Sequence, residues 1–186
     1  MKRYCHVQQK CPEDAAATCL YMISLHFGLA VNLPDICKKI PPGLAPTPLE
    51  DISRVAEFLG FSSLPVQLSF EQLWKQAPLP CIIRWQGDRF AVVYRVSRRH
   101  VYLSDPSKAQ ARFPIQDFRR QWTVDTTANV AKWTDVGQVL LLEPGPNFQV
   151  KRKPKQPQAT PPFWRSVLND LRRILRQWSN GENLGW

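Results

Sequence analysis

The most constraining feature of the chain is a dense apolar stretch that begins directly after Pro12, Glu13 and Asp14. Proline fixes φ where a helix needs no amide donor, and acidic side chains favour the positive end of the helix dipole. From residue 14 to about 27, apolar side chains occur too often for a surface helix, and Gly28 follows. We therefore expect a largely buried helix that ends at Gly28 and has Ala15 in its first turn.

The periodicity of the chain changes at Pro78. Before it, the pattern predicts three further helices, at about residues 32–40, at 47–60 and from Ser69 onwards. After it, β-branched runs predict strands at 80–85, 90–96, 100–104 and 138–143, with a helix at 114–121 and an irregular connection at 122–136. Helices first and strands after predict an α+β domain in which a helical layer packs on one antiparallel sheet.

The C-terminal part differs from the rest in charge and composition. Residues 144–186 carry a net charge of +6, against +4 for residues 1–143, and they open with the run PGPNFQVKRKPKQPQATPP. This predicts a domain at 1–146, a basic proline-rich linker at 147–162, an amphipathic helix at 163–178 and a tail at 179–186. The residues of that helix expected to face a membrane or a membrane partner are Trp164, Arg165, Arg172, Arg173, Arg176 and Trp178. A helix folded back on the domain is the alternative.

Several classes of protein are disfavoured by features that the sequence lacks. There is no run of about 18 apolar residues, and MKRYCHVQQK lacks the apolar core of a signal peptide, so we expect a cytosolic protein. Phosphate-binding loops and metal-ligand clusters are also absent from the sequence, and we expect no cofactor or metal. The cysteines are scattered, so we expect reduced and mostly buried thiols at Cys5, Cys11, Cys19, Cys37 and Cys81.

Three places in the chain carry polar residues that suit a single site. Gln9 lies five residues before Asp14, and its amide could donate to an oxyanion beside the helix start. Arg89 follows a predicted turn and lies at the start of a strand, and Asp105 follows another strand, immediately before Pro106.

Together these motifs resemble the double-glycine leader peptidases, which are papain-like cysteine protease domains at the N-terminus of bacteriocin-exporting ABC transporters. In that family four residues separate a glutamine from a sequence of the form Asp/Glu-Cys-Gly-x-Ala-Cys-Leu, and a His-Phe-Val-Val strand and an Asp-Pro pair follow. The matching stretches here are Gln9, Asp14-Ala15-Ala16-Ala17-Thr18-Cys19-Leu20, Arg89-Phe90-Ala91-Val92-Val93 and Asp105-Pro106. The resemblance spans about residues 4–146 and implies a papain-like fold.

Two departures from the family pattern bear on activity. Ala15 stands where the family has its nucleophilic cysteine, and Arg89 stands where it has the histidine base, while Gln9 and Asp105 match. A methyl group cannot attack a carbonyl, and an arginine cannot accept a proton at any relevant pH. We therefore expect an inactive peptidase-like domain, not an enzyme, in which Arg89 pairs with or contacts Asp105.

The resemblance also implies a role in export. Similar inactive domains of type I secretion ABC transporters are thought to hold the unfolded export polypeptide near the transporter. We accordingly expect this polypeptide, and the transmembrane region of a transporter or the cytosolic face of the inner membrane, as partners, and no nucleic acid. Candidate aromatic contacts for the polypeptide are Trp74, Trp85, Trp122 and Trp133, although a core role is favoured for each one taken singly.

Two alternative functions stay open at this point. The domain could be an active cysteine peptidase with a displaced thiol, since Cys11 and Cys19 each lie four residues, or one turn of a continued helix, from Ala15. The histidines available as bases are His6, His26 and His100. Alternatively, the basic run at 151–155 and the terminal helix could bind nucleic acid or anionic lipid.

Overall fold

The computed structural model describes residues 4–40, 47–122 and 136–149. The described residues do not include 150–186 or almost all of the connection predicted at 122–136, which contains Trp133. Three features of the C-terminal part therefore stay predictions: most of the linker, the tail and the amphipathic helix. The residues of that helix are Trp164, Arg165, Arg172, Arg173, Arg176 and Trp178.

The described ranges form a helical part followed by an antiparallel sheet. The helices are α1 (Ala15–His26), α2 (Leu33–Cys37), α3 (Leu49–Phe58), α4 (Phe70–Lys75) and α5 (Ile115–Trp122), and a 3-10 turn at Pro12–Asp14 precedes α1. The strands are β1 (Phe61–Ser69), β2 (Cys81–Trp85), β3 (Arg89–Val96), β4 (His100–Ser104), β5 (Gln110–Pro114) and β6 (Val136–Pro144). In these ranges no helix is long and apolar enough to cross a membrane.

All five predicted helices are present within the described residues. The expected start of α4 is confirmed by a capping box, in which the Ser69 hydroxyl accepts from the Gln72 amide and the Gln72 side chain accepts from the Ser69 amide. Gly28 has a φ of 79°, a left-handed conformation that glycine adopts without steric cost, just after the last turn of α1.

The sheet contains two strands that the sequence pattern did not predict. Its order is β1-β6-β2-β3-β4-β5, with antiparallel pairing between all neighbours. The unpredicted strands, β1 and β5, are the two edges of this sheet. An edge strand has less apolar surface to bury and tolerates a proline or a charge, so Pro65 in β1 and Arg112 in β5 interrupt the expected pattern.

Helices cover both faces of the sheet, which corrects the expectation of a single helical layer. Ile82 of β2 belongs to a core with α1, α2 and α3, whereas its neighbours Cys81 and Ile83 belong to a second core with α4 and α5. Successive side chains of a strand point to opposite faces, so the central strands supply both cores. The broader prediction of an α+β fold with helices on an antiparallel sheet is confirmed.

The second core explains why two of the candidate tryptophans do not form a binding surface. Trp85 and Trp122 are only 1% and 4% exposed, and Trp85 stacks on Phe118 at a ring distance of 5.3 Å. The Trp122 indole occupies the space that a side chain on Gly137 would need. Trp85 and Trp122 therefore have the core role and are removed as candidate polypeptide contacts, whereas Trp74 is 42% exposed and remains a candidate.

We predict that Trp85→Ala destabilises the domain by about 3–5 kcal/mol, because it leaves a cavity beside Phe118. Trp74→Ala is the matched control and should cost about 1 kcal/mol or less, since half-exposed side chains lose little on truncation. The measurement is the free energy of unfolding from denaturant titrations. Equal losses for the two variants would contradict the assignment of Trp85 to the core.

Candidate functional site

Ala15 is the first residue of α1, at the position where the sequence places the site. The 3-10 turn at Pro12–Asp14 leads into the helix, and Glu13 and Asp14 place two carboxylates at this end. Ala15 is half-buried and packs against the core under α1. A methyl group at the start of this helix offers no atom that can act as a nucleophile, acid or base.

The segment before the helix is tied to the segment after β4. The Gln9 backbone amide donates a hydrogen bond of 3.0 Å to the carbonyl of Pro106, which directly follows Asp105. The Gln9 side-chain Oε1 is buried and has no hydrogen-bond partner among the described residues. The structure thus brings Gln9 to the Asp105-Pro106 pair, as the sequence motifs indicated.

Arg89 and Asp105 form the expected ion pair. Arg89 Nη1 lies 3.3 Å from Asp105 Oδ2, and the Asp105 side chain is 5% exposed against 33% for Arg89. The other carboxylate oxygen, Oδ1, accepts from the Ser107 backbone amide at 2.9 Å and from the Ser107 hydroxyl at 2.6 Å. Arg89 Nη1 also donates to Ser107 Oγ at 3.2 Å, so the three residues form one closed network.

Ser107 is a residue of this site that the sequence motifs did not single out. Its contacts follow from a local rule: an aspartate often accepts a hydrogen bond from the backbone amide two residues later. The sequence Asp105-Pro106-Ser107 carries that signal, and the Ser107 hydroxyl adds a second contact to the Asp105 carboxylate.

A second polar contact fixes the N-terminal segment against the same strand end. His6 Nδ1 lies 2.7 Å from the hydroxyl of Ser104, the fully buried last residue of β4. That hydroxyl also lies 3.4 Å from Met22 Sδ on α1, and the Val7 amide donates to the same sulfur at 3.3 Å. His6, one of the histidines considered as a base, is thus engaged in holding its own segment to β4 and α1.

The thiols considered as displaced nucleophiles lie in unsuitable places. Cys19 is fully buried, and burial, together with the nearby Asp105 charge, raises its thiol pKa well above the usual value. Cys11 is exposed and precedes the 3-10 turn. The expectation that it lies one turn from Ala15 on a continued helix is therefore wrong. Cysteine thiols attack as thiolates, which a raised pKa disfavours.

All five cysteines are free, as the sequence indicated, but the expectation that most are buried is wrong. Cys19 and Cys81 are buried, Cys5 and Cys11 are exposed, and Cys37 is intermediate. Burial, and then a hydrogen bond to the Asp14 carboxylate and its charge, raise the pKa of Cys37 to about 11. The described residues contain no group of histidine, cysteine and acidic side chains suited to a metal ion.

Comparison with known protein families decides the family of this domain. The family model described as the peptidase C39 family matches residues 3–134. The chain belongs to the peptidase C39 family. This agrees with the resemblance to double-glycine leader peptidases in the motifs around Ala15, Arg89 and Asp105.

Curated relatives of this C39 domain are parts of much longer proteins. It is 26% identical over 163 residues to a colicin V secretion/processing ATP-binding protein of Escherichia coli, covering 88% of this chain and 21% of the relative. It is 27% identical over 123 residues to a lactococcin-G-processing and transport ATP-binding protein of Lactococcus lactis subsp. lactis, covering 63% of this chain and 17% of the relative. The chain therefore spans about a fifth of the length of these relatives.

Solved structures confirm the papain-like fold of the C39 domain. A double glycine motif protease from an AMS/PCAT transporter, in complex with the leader peptide, matches with a TM-score of 0.66 at 20% identity, covering 76% of this chain and 92% of that chain. The N-terminal peptidase C39-like domain of a toxin secretion ATP-binding protein from Vibrio parahaemolyticus matches with a TM-score of 0.54 at 19% identity, covering 73% and 98%. At these identities the likeness concerns the fold alone.

We predict that Arg89→Met lowers the free energy of unfolding by about 1–3 kcal/mol, because the buried Asp105 carboxylate loses its cation and keeps only Ser107. Lys75→Met is the control, since the Lys75–Glu71 pair lies on the exposed face of α4 and should contribute at most about 0.5 kcal/mol. Denaturant titration of both variants checks this. An Arg89→Met variant as stable as Lys75→Met would refute a supporting role for the ion pair.

We further predict that Asp14→Asn lowers the pKa of Cys37 from its value of about 11. A neutral amide removes the negative charge that disfavours the thiolate, so Cys37 should alkylate faster at mildly alkaline pH. The measurement is the pH dependence of iodoacetamide labelling at Cys37, read by mass spectrometry. The exposed Cys5 serves as the internal control, and an unchanged pH profile at Cys37 would contradict the contact with Asp14.

Proposed function

We propose that this C39 domain binds a polypeptide destined for export and does not cut it. The observation that carries the proposal is the pairing of Arg89 with Asp105 beside a helix that begins with Ala15. Acyl transfer in a cysteine peptidase needs a thiol nucleophile and a base that can take its proton. Neither group stands at the positions that the family motif assigns to them, while Gln9 and the tie to Pro106 maintain the surrounding scaffold.

The alternative of an active peptidase with a displaced thiol has less support. Cys19 is fully buried and its raised pKa favours the neutral thiol, and Cys11 lies outside α1. His6 is held by Ser104, and His100 begins β4, at the opposite end of that strand from Asp105. A displaced mechanism would need one of these thiols and one of these bases to meet at a substrate.

The partners follow from the kinds of protein to which the relatives belong. Their names describe processing and transport ATP-binding proteins, and this chain aligns with about a fifth of their length. We propose that the domain works beside the transmembrane region of an ABC transporter, at the cytosolic face of the inner membrane, with the basic C-terminal segment directed to that membrane. Recognition of nucleic acid is not part of this proposal.

The decisive experiment restores the family residues. Wild-type protein, Ala15→Cys, Arg89→His and the double variant are incubated with a peptide containing a double-glycine leader, and products are followed by mass spectrometry. We expect no cleavage by wild type or either single variant, and cleavage or labelling of position 15 by a thiol-directed activity probe in the double variant. The reason is that Asp105 would orient the new imidazole, as a carboxylate does in a cysteine peptidase.

The wild-type arm of this experiment is the test of the proposal itself. Cleavage by the wild-type protein would overturn it, and Cys11→Ser and Cys19→Ser variants would then identify the thiol responsible. Failure of the double variant to react would leave the wild-type result standing, since restoring two residues need not restore the distances that catalysis requires.

A further inference from the structure

Two hydrogen bonds at the ends of β5 determine which way its main-chain groups point. The Asp105 amide donates to the Ala109 carbonyl at 3.1 Å, and the Ile115 amide donates to the Arg99 carbonyl at 3.2 Å. Both pairs continue the unbroken antiparallel register between β4 and β5. In such a ladder, hydrogen-bonded pairs alternate with pairs that make no bond to each other. Every second residue of β5, beginning with Gln110, therefore turns its amide and carbonyl away from β4.

The outward-pointing residues with a free amide are Gln110 and Arg112. β5 is the last strand at this edge of the described sheet, and no described residue forms a backbone hydrogen bond with their outward groups. Each residue carries one donor and one acceptor. The edge therefore presents main-chain groups at the two-residue spacing that a further strand needs for pairing.

The opposite edge of the sheet, formed by β1, is interrupted. The Gly145 amide donates to the Gly60 carbonyl at 2.9 Å, and the same alternation along β1 and β6 turns Ser63, Pro65 and Gln67 outwards. Proline has no amide, so the middle of the β1 edge cannot donate to an added strand. Of the two edges, β5 is the one along which a further strand can pair without a gap.

The side chains along β5 determine the chemistry that suits an added strand. Arg112 is exposed, and no hydrogen bond or ion pair holds its guanidinium within the described ranges. Lys108 is exposed in the turn before β5, and residues 106–116 contain no acidic side chain. On the other face of the strand, Ala111 and Phe113 are half-buried against the second core. Since strand side chains alternate between faces, acidic residues suit one face of an added strand and apolar residues the other.

We propose that an extended segment of the exported polypeptide, with alternating acidic and apolar side chains, pairs along the length of β5 as a further strand. Its carboxylates lie beside Arg112, and its apolar side chains lie beside Ala111 and Phe113. This inference rests on the proposed function and adds to it the surface and the chemistry of the bound segment. A second copy of the chain fits less well, because pairing of two β5 edges would bring two Arg112 cations together.

The experiment compares the full-length wild type with Arg112→Gln and Arg112→Pro. The first variant removes the charge, and the second also removes the outward amide. Pro65 occupies an outward position of the other edge strand, so this sheet accommodates a proline at such a place. Arg120→Gln, at an exposed position of α5, is the control for net charge. Unfolding midpoints establish that all variants are folded.

The probes are two fluorescein-labelled peptides of the same composition. One repeats Glu-Val, and the other has its Glu and Val residues in separate blocks. Only the repeating peptide places all its carboxylates on one face of an extended strand and all its apolar side chains on the other.

We expect the repeating peptide to bind wild type, Arg112→Gln to bind it about threefold more weakly, and Arg112→Pro about tenfold more weakly. Arg120→Gln should stay within about twofold of wild type. Equal affinity of the two Arg112 variants would overturn the inference, because the outward amide would then contribute nothing. Equal binding of the two peptides by wild type would also overturn it, as would a wild-type dimer that Arg112→Pro abolishes.

Amide hydrogen exchange measured by NMR tests the main-chain pairing directly. In free wild type, the amides of Gln110 and Arg112 should exchange rapidly, whereas those of Ala111 and Phe113 are bonded to β4 and should exchange slowly. The repeating peptide should slow exchange at Gln110 and Arg112. Slow exchange at these two amides in the free protein would overturn the inference, because another part of the chain would then occupy the edge.

The inference and the proposed function fail in different ways. If wild type binds reduced, carboxymethylated α-lactalbumin but Arg112→Pro binds it equally well, the inference fails and polypeptide binding stands. If wild type binds no unfolded polypeptide at all, the proposed function fails, and the inference fails with it.

Discussion

The arrangement of the site depends on the buried carboxylate of Asp105. A charge that is 4% exposed is costly unless it is paired and hydrogen-bonded, and here Arg89 and two contacts from Ser107 meet that requirement. The Pro106 carbonyl next to it anchors Gln9, which leads into the start of α1. The same few residues therefore position both the strand ends and the helix start. In this network the Arg89 guanidinium is the partner of the aspartate, and a guanidinium does not accept a proton at any relevant pH.

The central elements could be predicted from the sequence because their patterns come from burial. Helix α1 and strands β2, β3 and β4 lie in the interior and present apolar residues with little interruption. The edge strands β1 and β5 were missed because a strand with one free edge is not required to be apolar throughout. The second helical face was missed for a related reason: α5 is mostly polar in sequence, and it contributes mainly Phe118 and Trp122 to the core.

The candidate site could be predicted where the family motifs name its residues. It could be predicted less well where tertiary contacts decide which atoms meet. The resemblance placed Gln9, Ala15, Arg89 and Asp105 in one site, and the structure shows the expected ion pair between Arg89 and Asp105. It did not indicate that the Gln9 amide bonds to Pro106 or that Ser107 closes the network. The sequence alone also cannot tell a buried tryptophan from an exposed one, because both satisfy the same local pattern.

Strands β3 and β4 present opposite electrostatic situations at their two ends. At the Arg89 end, the cation is matched by a buried carboxylate, so the charges cancel locally and the desolvated pair has little left with which to attract a ligand. At the other end, Arg98 and Arg99 are exposed in the turn between β3 and β4, and neither strand contains an acidic residue. The charges of Arg98 and Arg99 therefore add to one another, whereas the charge of Arg89 is balanced by Asp105.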